Sequence, residues 1–366
     1  MRIALVRQRY NPYGGAERFV ERALAALERT GAEVTLITRR WRPAEGRRVL
    51  IVDTPYLGSL WRDASFARAA RAAWQRERFD LVQSHERISG CAIYRAGDGV
   101  HRQWLAYRTA AASPLERVAI GANPYHRYVC EAERRMFAHP ALRAVICNSR
   151  MVRADIERHF RLPPEKLHVL YNGVDLEHFR PAAAARARDA GSTFVFVGSG
   201  FARKGLATVL RALVEAPQAR LLVAGSDREA PRFAALAGAL GVAGRVRLLG
   251  GVDDVRPLYA AADCFILPTL YDPFPNAALE ALAMGVPIIV SRRCGAAELV
   301  REGENGWLCD PQDAAGLAVL MRAAADRVRA GDMRASPRAS AEAFGIDAMA
   351  RQLVELYAGL MARPAA

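Results

Sequence analysis

Thr193-Phe-Val-Phe-Val-Gly198-Ser-Gly200-Phe-Ala-Arg203-Lys204-Gly205 is the stretch on which the fold turns. Its apolar start, free of polar alternation, reads as a strand buried on both faces. Glycines stop that strand, and a helix opens at Leu206. A strand, a glycine turn and a helix in that order place backbone N–H groups at a helix N-terminus, where phosphates bind. Arg203 and Lys204 lie in the turn. A guanidinium grips two oxygens in a fork and an ammonium adds a mobile point charge, which together suit a diphosphate leaving group. The bland alternative is a solvated loop. Against it stands composition: Lys204 and Lys166 are the only lysines among 52 basic side chains.

Outward from this stretch, short apolar runs alternate with Ala/Arg-rich helical segments to both ends of the 366-residue chain, the pattern of parallel sheets with crossover helices. In the front half, strands are expected at 3–6, 34–38, 49–52, 81–83, 145–148 and 168–170, with a helix over 16–28 that Gly31 ends. Behind it, strands follow at 221–224, 246–249, 264–267 and 288–290. An Ala/Arg/Gly segment at 181–192 reads as a linker. The chain therefore divides into residues 1–180 and 181–345, two doubly wound α/β domains with a cleft between the carboxyl ends of their strands. A last amphipathic helix over 346–366 carries Met349, Leu353, Leu356 and Leu360 on one side.

Net charge is +14, with 25% charged and 52% hydrophobic residues, and mean hydropathy is −0.02, so a disordered or collagen-like chain is excluded. Residues 1–180 hold 31 basic and 19 acidic side chains, leaving 52 − 31 = 21 and 38 − 19 = 19 for the remainder, or +12 against +2. The six cysteines stand singly, without zinc-like spacing, which points to a reducing compartment. No window approaches the roughly 20 apolar residues that span a bilayer.

Two further segments carry chemistry. Tyr10-Asn-Pro-Tyr-Gly14-Gly15 places two glycines between the first strand and its helix, a phosphate-facing turn or an ordinary one. Tyr271-Asp272-Pro-Phe-Pro-Asn-Ala-Ala-Leu-Glu280 follows the strand at 264–267, with Asp272 in a loop and Glu280 in the next helix. Carboxylates accept hydrogen bonds from sugar diols, although a lone helical Glu is more often an exposed charge.

Taken together, these residues resemble retaining glycosyltransferase family 4. The loop and helix are similar to that family's E-x7-E region, with Asp272 in place of its first Glu. The resemblance also takes in Gly14-Gly15, Asn148-Ser149, Tyr171-Asn-Gly-Val-Asp175, Arg203-Lys-Gly205 and Ala261-Ala-Asp263. It is strongest to the lipopolysaccharide core glucosyltransferase I group, in Tyr13-Gly14-Gly15, in 198–205 and in the aromatic-basic insert after Asp98. The resemblance implies a GT-B fold of two Rossmann-like domains, a final helix packed back on the first domain, and no metal or other cofactor. Arg203 and Lys204 would hold the donor diphosphate with Gly198, Gly14 and Gly15 close to it. Glu280 would bind the ribose, Asp272 the transferred sugar, and Phe274 and Asn276 would complete the donor site. Asp98 is the candidate group near the reacting carbon; the alternative is a turn-capping aspartate between Gly97 and Gly99.

The basic excess concentrates around aromatic residues: His101, Arg102, Trp104, Arg108, Arg117 and Arg127, with a second basic face near Trp61 and Trp74. Such side chains suit an anionic bilayer surface. The expectation is a peripheral enzyme on the cytoplasmic face of the inner membrane. It would pass a hexose from a UDP-sugar to a heptose of lipopolysaccharide or to a related glycolipid. Competing readings are a family 4 enzyme with another donor or acceptor, a sugar-nucleotide epimerase, a phosphorylase and a basic nucleic-acid-binding protein. No nucleic-acid module is present in the sequence, and nucleic acid is not an expected partner.

Overall fold

A computed structural model describes residues 2–8, 31–40, 48–181, 191–331 and 335–362. The helix expected over 16–28, Gly14, Gly15 and most of the 181–192 segment lie outside these. The chain forms two compact units, one of residues 1–171 with 349–366 and the other of residues 172–348.

In the first unit, strands β1 (Arg2–Val6), β2 (Glu33–Thr38), β3 (Arg48–Ile51), β4 (Leu81–Ser84), β5 (Ile93–Arg95), β6 (Ala144–Cys147) and β7 (Leu167–Val169) form one sheet. Its order is β3-β2-β1-β4-β5-β6-β7, and every neighbouring pair is parallel. The second sheet is built from β8 (Ser192–Val197), β9 (Ala219–Ala224), β10 (Val246–Gly250), β11 (Cys264–Leu267), β12 (Ile288–Ser291) and β13 (Gly306–Cys309). It runs β10-β9-β8-β11-β12-β13, again parallel throughout. Each sheet reverses direction once, between β1 and β4 and between β8 and β11. Loops leaving such paired strands bound the ligand crevice of open α/β sheets.

Hydrophobic runs make these strands because both faces are covered. Phe194, Val195, Phe196, Phe265 and Ile266 have no exposed surface, and neither do Ile3, Leu5, Val145 and Ile146. Two strands escaped the sequence reading. β5 is only three residues long and ends in Arg95, while β13 opens on a glycine; pairing with β4 and β6, and with β12, holds them extended.

Along the chain the division falls after Tyr171 rather than after Arg180. Residues 172–180 are bound into the second unit: Val174 N–H donates to Phe344 O (2.9 Å), Phe179 packs edge-on to Tyr259, and the Arg338 guanidinium holds the carbonyls of Leu176 and Phe179. A helix over Ile346–Ala362 leaves the second unit and belongs to the first from Met349 onward.

Candidate functional site

β8 and β11 direct their following loops to the same place. Gly205, at φ +83°, opens the helix Leu206–Glu215, and a Cβ there would collide with the carbonyl oxygen of Pro268 just after β11. That close approach presses the two loops together. Arg203 O accepts the N–H of Leu270 (2.9 Å) and the hydroxyl of Thr269 (3.1 Å), and Asp272 is fixed in turn by Arg293 O and Gly295 N–H.

Three charges converge in this arrangement. Lys204 Nζ donates to Asp272 Oδ2 at 2.8 Å, and Arg203 Nη1 reaches the same oxygen at 3.4 Å while donating to Tyr271 O at 2.7 Å. Asp272 is 6% exposed and Lys204 8%, so Lys204 is a fixed ammonium rather than the mobile charge of a solvated loop. It lies across Gly198, where a Cβ would come within 2.8 Å of Lys204 Cε. Burial pushes the Asp272 carboxyl up, but Lys204 and Arg203 outweigh it and hold the group below the usual carboxylate range.

Glu280 stands in the helix Asn276–Ala283 that follows. It is 4% exposed, which overturns the reading as a surface charge, and the Tyr259 hydroxyl lies 3.2 Å from its Oε2. Asn276 Oδ1 accepts from Asn172 Nδ2 at 2.6 Å, and Phe274 O lies 3.3 Å from the same nitrogen. Phe274 is 4% exposed, and its carbonyl oxygen is the atom that meets Asn172. Asn172 and Tyr259 were missed as members of the cluster. Asn172 falls inside the Tyr171–Asp175 segment that carried the family resemblance, a signal of position without a role.

In the first unit, Asp98 lies exposed in the turn that Gly99 N–H closes onto Ala96 O (3.1 Å), at the end of β5. The aromatic-basic segment folds as three helices, His101–Ala111, Pro114–Ala122 and Pro124–Phe137. His101 Nε2 faces His126 Nδ1 at 3.2 Å, and Arg108 lies over the Trp104 ring at 5.2 Å. Burial, then Arg87, His126 and Arg108, push the His101 imidazole down to about 3, so it is neutral in ordinary buffers. Arg102, Arg117 and Arg127 are exposed. Trp61 is exposed as expected for a second basic face, but Trp74 is not: it is 5% exposed and belongs to the core beneath the helix Gly58–Glu77.

Glu133 also went unrecognised. It is 1% exposed, accepts Arg87 Nε (2.8 Å) and the His101 N–H (2.8 Å), and thereby caps the helix that carries His101. The available signal was a carboxylate on the buried stripe His126, Val129, Glu133, Met136. Among the described residues, no group of three His, Cys, Asp or Glu side chains could hold a metal ion, and no helix is long and apolar enough to cross a membrane. All six cysteines are free thiols.

Comparison with known proteins shows the family and the fold to which these loops belong. The model "Glycosyltransferase Family 4" matches residues 13–178, and "Glycosyl transferases group 1" matches residues 191–326. A D-inositol 3-phosphate glycosyltransferase of Xylanimonas cellulosilytica is 30% identical over 94% of this chain and 91% of its own length. The lipopolysaccharide glucosyltransferase WaaG of Escherichia coli is 24% identical over 84% of each chain. Among solved structures, WaaG superposes with a TM-score of 0.85 at 21% identity over 98% of this chain and 100% of that one. Anabaena HepE, solved with UDP and glucose, gives 0.73 at 20% identity over 98% and 99%. With successive family models along both units and a full-length relative at 30% identity, the chain belongs to glycosyltransferase family 4 and has the GT-B fold.

Proposed function

We propose that this chain is a retaining hexosyltransferase that moves a sugar, glucose first among them, from a UDP-sugar to a heptose of the lipopolysaccharide inner core or to a related glycolipid. The observation that carries the proposal is the Arg203–Lys204–Asp272 cluster on the loops after β8 and β11. When the donor's glycosidic bond breaks, negative charge grows on the departing diphosphate and positive charge on the sugar ring. Cations already locked in place stabilise that change without reorganising, which is usually the largest single contribution to catalysis. Arg203 and Lys204 take the diphosphate, Glu280 the ribose hydroxyls, and Asp272 faces the transferred sugar. The leaving phosphate oxygen accepts the acceptor hydroxyl's proton, so the new bond forms on the face the old one left. Asp98 sits near the reacting carbon in this scheme. The two cations supply the positive charge, and the reaction proceeds without a divalent metal.

Similarity to WaaG supports glucose and a lipopolysaccharide acceptor; the HepE complex supports a UDP donor. The full-length similarity to inositol-phosphate transferases favours a second reading, a phosphorylated cyclitol as acceptor. Both acceptors are anionic, in keeping with the +12 of residues 1–180. We place the enzyme on the cytoplasmic face of the inner membrane, held peripherally by anionic lipid. Leu115 (84% exposed) and Val118 (70%) present an apolar face on the helix Pro114–Ala122, in the same segment as Arg108, Arg117 and Arg127.

The test is a panel of UDP-, GDP- and ADP-sugars against truncated lipopolysaccharide and against inositol phosphate, read by mass shift and by anomeric coupling in the product. Expected is UDP release that needs both donor and acceptor, unchanged by EDTA, with the donor's anomeric configuration kept. Tight duplex-DNA binding at physiological salt, with no nucleotide released from any donor, would overturn the proposal.

A further inference from the structure

The loop that carries Arg203 and Lys204 is tied down by a residue outside the family motif. Asp227 lies three positions past the end of β9. Its Oδ2 accepts the N–H of Gly200 at 2.8 Å and that of Phe201 at 2.6 Å. Its other oxygen accepts the Glu229 N–H at 2.8 Å, just before the helix Ala230–Ala239. One carboxylate thus joins the turn after β8 to the turn after β9. The same two turns are joined through the backbone, Gly198 N–H donating to Ala224 O at 2.8 Å. The held turn closes on the lysine itself, because Lys204 N–H donates to Gly200 O at 2.9 Å.

This arrangement has a chemical consequence. Two adjacent backbone N–H groups in a glycine turn are a natural phosphate cradle. Here Asp227 fills the cradle formed by Gly200 and Phe201, so those donors are not open to a diphosphate. Recognition of the diphosphate passes instead to the side chains of Arg203 and Lys204, at the far end of the turn. A carboxylate in a loop that receives an anion repels it, and only the geometry it imposes offsets that cost.

We propose that Asp227 is a positioning residue for sugar transfer: it holds the 200–204 turn so that Arg203 and Lys204 meet the donor diphosphate as a pre-set pair. The inference rests on the reading of Arg203 and Lys204 given above. Asparagine at 227 keeps one acceptor oxygen and turns an NH2 group toward the other set of donors, so it can satisfy Gly200 and Phe201 or Glu229, not both.

Asp227→Ala, Asp227→Asn and, as a reference, Lys204→Ala are compared with the unaltered chain. Steady-state kinetics are measured with donor and acceptor varied separately. Calorimetric titrations use UDP, GDP and ADP, each beside its nucleoside. Expected for Asp227→Ala is a donor KM raised about tenfold, matched by weaker nucleoside-diphosphate binding, with acceptor KM and nucleoside binding unchanged; Asp227→Asn falls between. Unaltered donor KM and diphosphate affinity in Asp227→Ala would overturn the inference. So would activity lost only in proportion to a lowered fraction of folded protein, with both KM values intact. Should the alanine variant not fold, unaltered diphosphate affinity in Asp227→Asn overturns it equally. Lys204→Ala separates the two levels: wild-type diphosphate binding there removes the diphosphate reading itself, whatever Asp227 does.

Discussion

Lys204 and Asp272 are each under a tenth exposed, and charges that far from water persist only when each satisfies the other. Lys204→Ala therefore has two expected effects. The Asp272 carboxylate keeps only the longer contact to Arg203, so the carboxyl's pKa rises and stability drops by a few kcal/mol, about 3 at the lower end of broken buried pairs. Turnover falls by about 10²–10³ in kcat/KM, the scale of one lost charge-stabilising donor. Chemical denaturation checks the first and donor-varied kinetics the second; wild-type turnover would remove Lys204 from the mechanism. Asp272 also sets an acid limit. Its folded pKa is depressed, so its contribution to stability is present above the unfolded value and is lost as pH falls through the folded one. Aspartate rather than glutamate at 272 was visible in the sequence. That its carboxylate lies on the two cations was not, because the contact joins loops that follow different strands.

At the scale of elements, the helix Ile346–Ala362 shows how far a periodic pattern reaches. The stripe expected on it was Met349, Leu353, Leu356 and Leu360, whereas the buried set is Met349, Ala350, Leu353 and Tyr357. The face is turned toward Tyr357 because its hydroxyl finds a partner: it donates to Gln83 Oε1 at 2.7 Å, and Gln83 Nε2 lies 3.0 Å from His85 Nε2. Amphipathic spacing locates a helix, but a tyrosine's polar tip is scored against burial until its partner is known. Leu353→Ala, at a fully buried position, is expected to cost about 2–5 kcal/mol. Tyr357→Phe should cost about 1–3 kcal/mol by leaving Gln83 an unpaired acceptor. Urea titration distinguishes the two, and a cost near zero for Tyr357→Phe would mean the hydroxyl bond adds nothing to the docking of this helix.

Across the whole molecule, charge and titration are both concentrated in the first unit. The surplus of +12 in residues 1–180, with Leu115 and Val118 turned to solvent, leads us to expect binding to phosphatidylglycerol vesicles that weakens as salt rises. Leu115→Asp with Val118→Asp should release the chain from such vesicles without changing turnover on a water-soluble acceptor. Co-sedimentation that ignored both anionic lipid and salt would count against the electrostatic part of that docking. His85, His101, His126 and His159 all have lowered pKa values, burial being the first cause in each. The unfolded chain therefore binds more protons below about pH 6.5, the ordinary value for His, and stability should fall steadily from there toward the folded value of about 3 for His101. Denaturant midpoints measured from pH 7.5 to 4.5 test this; a flat profile would show that these rings are not held neutral.

The sequence by itself determined the sheet-helix alternation, eleven of the thirteen strands found among the described residues and the family, because a strand buried on both faces and a glycine turn before a helix are local patterns. It also marked Lys204, Asp272 and Glu280, whose residue types and spacing carry chemistry on their own. Tertiary structure decided what those side chains meet. Lys204 settles on Asp272, Glu280 turns inward to Tyr259, Asn172 joins Asn276, and Glu133 and Asp227 fix turns far from them in sequence. Each of these is a hydrogen bond across 21 to 104 positions. Only the order of strands in a sheet brings such residues within 3 Å or so, and that order is a property of the packed chain rather than of any segment of it.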